Sequence, residues 1–480
     1  MQFTTSFGAF PAAGQPRQAV LDELRQLRQN DIDWKAGRTW SLVYYVDEDH
    51  LQFLKQAHNQ FFSENTINPF AFESVGRLER DIIRMTADLL HGGEEAVGVV
   101  TGGGSESIFL AVYAYREWAR KRGRRRGVPE MVVPASIHPA FFKAAHMLGI
   151  RLRQVPLGED RSADAQRMAA AVNERTILLA CSAPAFPYGV VDRVEEVAAV
   201  ARRHDLPLHV DACVGGFMLP WVEALGYEVP RWDFRVEGVT SMSTDLHKFA
   251  YGAKGASVLL YRRMDFLRHQ FFILPDWCGG IYASPTVLGT RSVGPMAAGW
   301  AALRSLGREG YLRIARRIME ATDRLRAALA AIPEIEVLGA PHMNLLAYTT
   351  RNNRPDLFVV ADQLEARGWM VDRQQNPNSI HLTLMSHNIE VLDRYLADLR
   401  AAVAYAKEHP EATARGNAAL YGLMARLPFK GMVEDNVRQV FEGLYGAATP
   451  EAAPQPEEVP AWQGWLNRLL AAWQQLVRKF

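Results

Sequence analysis

Short apolar runs alternate with segments of helical period between residues 97 and 263, and this alternation is the feature that most limits the fold. Residues 194–204 show the helical period, because Val194, Val197 and Val200 would share one side of a helix. Continuous apolar strands separated by helices predict an α/β fold with a mainly parallel sheet that is covered on both faces. The apolar runs are 97–100, 131–133, 176–180, 206–210, 238–242 and 256–261.

The pattern changes after about residue 303, where longer helical segments surround a few strands. This change predicts a smaller α+β domain at the C-terminal side of the large one. A chain of 480 residues is also too long for one ordinary core. The expected strands are 335–338, 345–348 and 379–384, with long helices at 311–331 and 392–407. We therefore divide the chain into an N-terminal segment 1–75, a large domain 76–303, a small domain 304–445 and a tail 446–480.

Composition and charge argue against several classes of protein. The formal net charge of +1 gives no reason to expect a nucleic-acid partner. The basic cluster 120–126 follows an amphipathic stretch, so we interpret it as a solvated helix end and loop. Cys181, Cys213 and Cys278 are widely spaced, without a pair at metal-ligand spacing, which suits a reducing compartment. With no signal-like start and no apolar run of about 18 residues, we expect a cytoplasmic protein.

The last segment, 461–480, follows a proline-rich linker at 446–460. Apolar residues recur in it at steps of three and four, as in Trp462, Trp465 and Leu469. This spacing predicts an amphipathic helix. Its apolar side could make a peripheral contact with a membrane, although docking on the protein body or on a partner subunit is the simpler interpretation.

Three polar segments follow apolar strands of the predicted sheet. They are the glycine loop 101–107, Asp211, and the stretch 245–248 that ends in Lys248. Ligands of open α/β sheets bind at the carboxyl ends of the strands, so these segments should lie close together. A lysine amine can form a Schiff base with an aldehyde cofactor, a carboxylate can keep a pyridine nitrogen protonated, and backbone N–H groups can hold a phosphate. Together the segments predict a pyridoxal phosphate site.

Each segment taken alone has a simpler interpretation. Glycine-rich turns are common in α/β proteins, an Asp often caps a turn, and a lysine is usually on the surface. However, Asp211 ends an apolar strand, where an unpaired carboxylate would be costly. Lys248 lies between Phe249, Tyr251 and an apolar strand, where an amine should lose protonation and gain nucleophilicity. The glycine pair 215–216 would leave room for a flat ligand.

The chain from about residue 37 to residue 446 resembles the sphingosine-1-phosphate lyase family. This family lies within the pyridoxal phosphate-dependent group that also includes the glutamate and aromatic amino-acid decarboxylases. The matching blocks are too long and too many for chance similarity. They are 101–107, 136–145, 187–192, 208–217, 233–241, 245–255, 276–286 and 419–422.

The resemblance implies a fold-type I, aspartate aminotransferase-like homodimer, with active sites at the subunit interface to which the N-terminal segment contributes. Lys248 would form the Schiff base, Asp211 would pair with the pyridine nitrogen, and His138 would stack on the ring. Gly104, Ser105 and His247 would hold the cofactor phosphate. Thr290 of the partner subunit would join them.

The resemblance also implies a retro-aldol cleavage that gives a fatty aldehyde and phosphoethanolamine. Tyr44, Asn65 and Lys254 match positions that line the substrate space. Tyr44 and Lys254 are candidates for proton transfer or for phosphate binding, and the sequence does not assign one role to each.

Several positions depart from the family pattern near the expected substrate, whereas the cofactor residues are intact. Asn68 replaces a histidine, the triplet 40–42 is bulkier than its family counterpart, and 187–189 and 289–294 also differ. The cofactor is therefore indicated more firmly than the substrate. An amino-acid decarboxylase, with Arg291 as a candidate for binding the carboxylate, stays open as an alternative. A catalytically idle cofactor-binding scaffold is a third interpretation, which the intact Lys248 argues against.

Overall fold

The predicted apolar runs form six strands of a large, mainly parallel sheet in the computed structural model, which describes residues 10–11, 13–67, 71–123, 127–412 and 430–445. The seven strands of this sheet are β1 (Val97–Thr101), β2 (Glu130–Pro134), β3 (Arg151–Val155), β4 (Thr176–Ser182), β5 (Leu208–Asp211), β6 (Val239–Thr244) and β7 (Ser257–Tyr261). Their order is β1-β7-β6-β5-β4-β2-β3. Only β7 runs against its neighbours, because both β1 and β6 pair with it in antiparallel fashion. The predicted α/β class is confirmed.

The sequence analysis missed β3 because its residues do not form an apolar run. The strand contains Arg151, Arg153 and Gln154 and only two apolar residues, and four of its five residues are partly or fully exposed. The strand lies at the edge of the sheet and pairs in parallel with β2. An edge position needs fewer apolar side chains than a central one, which explains the weak signal.

Helices cover both faces of the sheet and leave its carboxyl edge open for the cavity described below. Side chains alternate between the faces, so that Met131 and Leu178 pack on one side while Val132 and Leu179 pack on the other. The helices of the N-terminal segment and large domain are α1 (Arg17–Leu27), α2 (Glu48–Gln60), α3 (Glu73–Leu89), α4 (Gly104–Lys121), α5 (Pro139–Leu148), α6 (Ala165–Ala171), α7 (Val194–Arg203), α8 (Leu219–Ala224) and α9 (Met264–Leu267). Helices α4 and α5 pack on the Met131 face, while α3, α6, α7 and α8 pack on the Val132 face.

A hairpin and a second sheet complete the described fold. The hairpin consists of β8 (Phe272–Leu274) and β9 (Tyr282–Ser284). The second sheet is antiparallel, in the order β10-β11-β13-β12. Its strands are β10 (Ile335–Val337), β11 (Leu345–Thr350), β12 (Asp372–Gln374) and β13 (Ser379–Thr383), and the remaining helices are α10 (Gly294–Ala330), α11 (Leu357–Glu365), α12 (Leu392–Glu408) and α13 (Lys430–Tyr445).

Helix α10 joins the two domains and is longer than the sequence suggests. The sequence predicts a helix from residue 311, whereas the structure begins it at Gly294, with Pro295 in the first turn. The backbone of Gly307 departs from helical geometry, with a φ of 55°. The division that we place after residue 303 therefore falls inside this helix, close to its kink. Short strand β12, which borders the site, was also missed by the sequence analysis.

The N-terminal segment is attached to the small domain through an aromatic cluster. The ring of Trp40 lies 4.5 Å from that of Tyr395 and 6.0 Å from that of Trp369. Thr39 forms a β-bridge with Met370. These contacts fix the start of the segment 41–44, which borders the cavity.

Several sequence predictions fall wholly or partly outside the described residues. The proline-rich linker 446–460, the amphipathic helix 461–480 and Asn68 lie outside them. The basic cluster 120–126 is described only as far as residue 123. Among the helices that the structure describes, none has both the length and the apolarity needed to cross a bilayer.

Candidate active site

A cavity of about 1200 Å³ opens at the carboxyl edge of the large sheet. Strands β1, β2, β4, β5 and β6 run in the same direction, so the loops that follow them meet at this edge. The glycine loop, His138, Asp211 and Lys248 line the cavity, as the sequence analysis expected. The residues 370–374 of the small domain form the opposite wall.

Lys248 forms an ion pair inside the cavity, with its ammonium nitrogen 2.9 Å from Oδ2 of Asp245. Burial opposes the charge on the amine, but the carboxylate of Asp245 outweighs it and raises the pKa of Lys248. The expectation that burial would leave this amine neutral is therefore wrong. The amine must lose its proton to attack an aldehyde. Asp245 therefore controls the fraction of Lys248 that is deprotonated and reactive.

Asp211 lies at the end of β5 with one carboxylate oxygen already engaged. Its Oδ1 accepts hydrogen bonds from the backbone N–H of Cys213, at 3.0 Å, and from the hydroxyl of Ser243, at 3.4 Å. No described residue donates to Oδ2, although Asp211 lines the cavity. This second oxygen is therefore available to a cationic ring nitrogen.

The start of α4 forms an anion cradle beside Lys248. Glu106 and Ser107 donate their backbone N–H groups to the carbonyl of Gly103, and no described residue accepts from the N–H groups of Gly104 and Ser105. The amino end of a helix attracts anions, and the Ser105 hydroxyl adds a further donor. His247 completes the cradle, since its Nδ1 is buried with no described partner.

Gly104 is required by contacts within the protein and not only by a ligand. A Cβ atom at this position would lie 2.8 Å from both the Asp245 Oδ1 and the Cys213 Sγ. The glycine pair 215–216 has a similar explanation. Cβ atoms there would lie 2.2 Å from the Ala183 carbonyl and 2.1 Å from the Thr244 hydroxyl. The idea that this pair leaves room for a flat ligand is therefore incorrect.

His138 is the N-cap of α5, and its Nδ1 accepts a hydrogen bond from the backbone N–H of Ala140 at 3.2 Å. This bond fixes the orientation of the imidazole, and Pro139 fixes the first turn behind it. The side chain is exposed to the cavity. A flat ring bound between Asp211 and the cradle would find His138 in the same cavity, where it could stack.

Tyr44 and Lys254 lie together on the wall beside Lys248. The Lys254 ammonium is 5.1 Å from the centre of the Tyr44 ring and donates a 2.8 Å hydrogen bond to the carbonyl of Leu42. Burial raises the pKa of Tyr44 to about 12. Burial and then the positive charge of Lys248 lower the pKa of Lys254. Tyr44 thus holds its proton more tightly than an ordinary tyrosine, and Lys254 holds its proton less tightly than an ordinary lysine. Both groups lie on the same wall.

Asn65 and Arg291, which were also predicted to bind substrate, are not among the described residues that line this cavity. Asn65 forms a β-bridge with Ser292, and its Oδ1 accepts from the backbone N–H of Ile67. Thr290 is exposed nearby, and Asn68 is outside the described residues. Arg291 is buried and engaged, because its guanidinium contacts Glu79 at 3.5 Å and the carbonyl of Val100. We correct its assignment: it is not placed to bind a substrate carboxylate in this cavity.

The departures from the family pattern are only partly at the cavity. Leu42 lines it and is more than half exposed, with a φ of 75°. Trp40 is instead buried in its aromatic cluster, and Tyr188 packs against Val190 and Leu338. The interpretation that all these bulky changes surround the substrate was wrong for Trp40 and Tyr188.

Sequence reasoning missed several residues that shape the cavity. Asp245 was visible only as the residue three positions before Lys248, a spacing that also occurs on ordinary surface turns. Arg373 lines the small-domain wall and forms ion pairs with Asp362 and Glu365. Its position depends on the missed strand β12, so the sequence carried no signal for it.

The residues present fit pyridoxal phosphate. The site offers a lysine amine, an open carboxylate oxygen, an anion cradle and an imidazole beside them in one cavity. The buried His247 Nδ1, which has no described partner, lies at the cradle, where a phosphate oxygen would accept a hydrogen bond from it.

Comparisons with known proteins agree with this chemistry. The family model of the pyridoxal-dependent decarboxylase conserved domain matches residues 54–351. Sphingosine-1-phosphate lyase of Arabidopsis thaliana is 38% identical over 435 residues, which cover 89% of this chain and 79% of the plant protein. Sphingosine-1-phosphate lyase 1 of Mus musculus is 39% identical over 416 residues, or 86% of this chain and 72% of the mouse protein. A solved sphingosine-1-phosphate lyase of Burkholderia pseudomallei K96243 matches with a TM-score of 0.84 and 39% identity, over 92% of this chain and 99% of that chain.

Proposed function

The chain belongs to the sphingosine-1-phosphate lyase family, and we propose that it cleaves the Cα–Cβ bond of a phosphorylated long-chain amino alcohol. It is a pyridoxal phosphate-dependent lyase. When bound, the cofactor supplies an electron-accepting ring that takes up the electrons of the broken bond. The products are a long-chain aldehyde and, after a proton is returned to Cα, phosphoethanolamine.

The observation that carries this proposal is that Tyr44 and Lys254 lie in the same cavity as Lys248. A retro-aldol cleavage needs a base for the proton of the 3-hydroxyl. Tyr44 keeps its proton up to a pKa of about 12, so it is suited to donate a hydrogen bond to the 3-oxygen. Lys254 has a lowered pKa and is suited to accept the proton. We assign the base to Lys254 and the orienting donor to Tyr44.

The walls of the cavity suit a long apolar chain with a charged head. Leu42, Phe109, Met147 and Met370 line it and offer apolar surface to an alkyl chain. Lys143, on α5, adds a cation to the same cavity. This combination supports a phosphorylated lipid-like substrate over a small polar amino acid.

The direct test is product analysis with the purified holoenzyme. We expect sphingosine-1-phosphate and dihydrosphingosine-1-phosphate to yield a long-chain aldehyde and phosphoethanolamine, identified by mass spectrometry. Lys248→Ala is the negative control, because it removes the amine that anchors the cofactor. A panel of acidic and aromatic amino acids tests the decarboxylase alternative. Carbon dioxide from an amino acid, without aldehyde from either lipid, would replace the lyase by that alternative.

We also propose that two copies form a homodimer in which Thr290 of the partner subunit contacts the cofactor phosphate. The support is the β8–β9 hairpin and the loop that follows it, which expose large apolar side chains in the single chain. These side chains are Phe272, Ile273, Trp277, Ile281, Val287 and Leu288. Val287 and Leu288 also line the cavity, so a subunit that covers them would narrow its opening.

Complementation between two inactive variants tests the shared site. Lys248→Ala and Thr290→Asp should each be inactive as homodimers. A purified heterodimer of the two should recover about half of the wild-type activity, because one of its two sites is intact. A heterodimer without activity, or a monomeric wild-type protein in sedimentation, would contradict the proposal.

The cytoplasmic location and the peripheral membrane contact through 461–480 stay proposals. The three widely spaced cysteines support the first, and the tryptophan-rich spacing supports the second. Flotation of the full chain and of a chain ending at residue 445 with lipid vesicles tests the membrane contact. If both forms float equally or both stay soluble, the tail has no anchoring role.

A further inference from the structure

A buried histidine, His209, lies behind Asp211, the carboxylate that would face the cofactor ring. Strands β5 and β6 pair so that His209 is opposite Ser241 and Asp211 is opposite Ser243. Residues two apart on a strand point to the same face, so all four side chains lie on one side of the sheet. His209 is completely buried, and burial lowers its pKa to about 4. The imidazole is therefore neutral and has one N–H group.

We call Asp211, Ser243, His209 and Ser241 the row. The hydrogen bonds within it determine which group is the donor in each contact. The Ser243 hydroxyl donates to Oδ1 of Asp211, which is an acceptor only when ionised. Its oxygen can then only accept from His209 Nε2, at 3.2 Å, and from the Cys213 thiol, at 3.3 Å. His209 must therefore carry its proton on Nε2, so that Nδ1 accepts from the Ser241 hydroxyl at 2.8 Å. A hydroxyl has one proton and two lone pairs, so Ser243 is fully used.

We propose that His209 and Ser243 are positioning residues that hold Asp211 as an anion, with Oδ2 directed to the pyridine nitrogen, and so keep the proton on that nitrogen. Each donor to a carboxylate stabilises its charged form and weakens it as a base. The His209 N–H polarises the Ser243 hydroxyl and strengthens its bond to Asp211. Without this row, Oδ1 of Asp211 would keep only the backbone N–H of Cys213, and Oδ2 would no longer be held toward the ring nitrogen.

The side chains of the row lie on the same face of the sheet as the side chain of Asp211 that lines the cavity. Phe141 packs against the His209 ring at 5.8 Å and closes it from solvent. The titratable groups on which the charge of Asp211 acts are Cys181, Asp192, His209 and Cys213. Asp211 also shares the cavity with His138, Asp245 and Lys248. A histidine kept only for packing would not need both of its nitrogens paired with serine hydroxyls. An apolar residue of similar size would fill this space without any polar partners.

Two substitutions of His209 separate positioning from packing. The amide nitrogen of a glutamine can occupy the place of Nε2, so His209→Gln keeps the donor to Ser243. An asparagine reaches only the place of Nδ1, so His209→Asn loses that donor. Both residues are polar and neutral, and each leaves a smaller side chain in the same buried site. Ser243→Ala removes the hydroxyl itself.

The readouts are cofactor affinity of the apoenzyme and the ¹⁵N chemical shift of ring-labelled pyridoxal phosphate in the reconstituted enzyme. We expect Ser243→Ala and His209→Asn to bind the cofactor about tenfold more weakly. Their ring-nitrogen shift should move toward that of neutral pyridine. His209→Gln should stay within about twofold of wild type. These readouts do not involve a substrate, so they are independent of the proposed lyase activity.

A packing role gives a different pattern. His209→Gln and His209→Asn would then lower the thermal midpoint of the apoenzyme similarly, and both would keep the wild-type ¹⁵N shift. That outcome, or wild-type affinity and shift in Ser243→Ala, would overturn the proposal. If Ser243→Ala fails to fold, the pair of His209 variants decides between the two roles by itself.

Discussion

The ammonium nitrogen of Lys248 lies 2.9 Å from Oδ2 of Asp245, and the other oxygen of that carboxylate is buried without a described partner. Asp245 also lies next to Gly104, at the start of the anion cradle, where its Oδ1 would be 2.8 Å from a Cβ atom at that position. One carboxylate therefore borders both the covalent anchor and the phosphate end of the site. Binding of the cofactor must displace the ion pair, because the amine becomes part of the covalent link.

Asp245→Asn should let Lys248 react faster with pyridoxal phosphate. The amide cannot hold the charge on the amine, so the pKa of Lys248 falls and more of it is neutral at pH 7. We expect the rate of covalent cofactor attachment to the apoenzyme to rise by about tenfold or more. Stopped-flow absorbance measures this rate. Asp265→Asn, which removes an exposed carboxylate on α9, is the matched control. An unchanged or slower rate in Asp245→Asn would contradict the role of the ion pair.

Lys254 should determine the ascending limb of the activity profile. Its folded pKa is below the ordinary 10.5, so the neutral base accumulates at lower pH than for a free lysine. We expect kcat/KM for aldehyde release to rise with pH through an apparent pKa below that value. Lys254→Arg keeps the charge but cannot act as a base, and it should lower kcat by about 10²-fold or more. Tyr44→Phe should lower kcat while keeping the shape of the profile. A Lys254→Arg enzyme with normal kcat and raised KM would assign Lys254 to phosphate binding instead.

Gly104→Ala should weaken both folding and cofactor binding. The added methyl would meet the Asp245 carboxylate and the Cys213 sulfur at 2.8 Å, so the start of α4 must shift. We expect a loss of about 1–3 kcal/mol in the free energy of unfolding. Cofactor affinity should fall at the same time. Gly431→Ala, at an open position in α13, is the control and should leave both unchanged or slightly improved. Unaltered cofactor affinity in Gly104→Ala would show that the cradle tolerates the shift.

His387→Phe should stabilise the protein and reduce its sensitivity to acid. No described residue lies within hydrogen-bonding distance of either His387 ring nitrogen, and the ring packs near Trp34 and Tyr45. Burial lowers its pKa to about 4 from 6.5, so the unfolded state binds the proton more tightly. Above pH 6.5 the histidine is neutral in both states, so the stability is not reduced. As the pH falls toward 4, the unfolded state takes up the proton and the folded state loses stability.

Urea unfolding of the apoenzyme at neutral and acidic pH tests this prediction. The variant should gain about 1 kcal/mol at neutral pH, because it buries no unpaired nitrogen. Its advantage should grow as the pH is lowered to about 5. A variant that loses stability with acid as steeply as the wild type would contradict the explanation.

The sequence predicted the large sheet because its central strands are continuous apolar runs. Strand β3 escaped because an edge strand with two arginines does not need such a run. The start of α10 escaped because glycine, proline and alanine at 294–298 carry no helical periodicity. The role of Trp40 was misjudged because a bulky residue next to a site can equally be buried behind it, as here against Trp369 and Tyr395.

The sequence predicted those parts of the site whose chemistry depends on single residue types. Lys248, Asp211, His138 and the glycine loop follow strands, so the topology alone brings them together. The partners that tune them depend on details that a sequence does not encode. Ser243 reaches Asp211 only through the register of β5 against β6. Arg291 fails as a substrate residue because Glu79, distant in sequence, engages it.

The most direct measurement of the central claim is the product of the holoenzyme with dihydrosphingosine-1-phosphate. We expect equal amounts of a long-chain aldehyde and phosphoethanolamine, and neither product with Lys248→Ala. An active, cofactor-loaded enzyme that leaves this lipid intact while releasing carbon dioxide from an amino acid would contradict it.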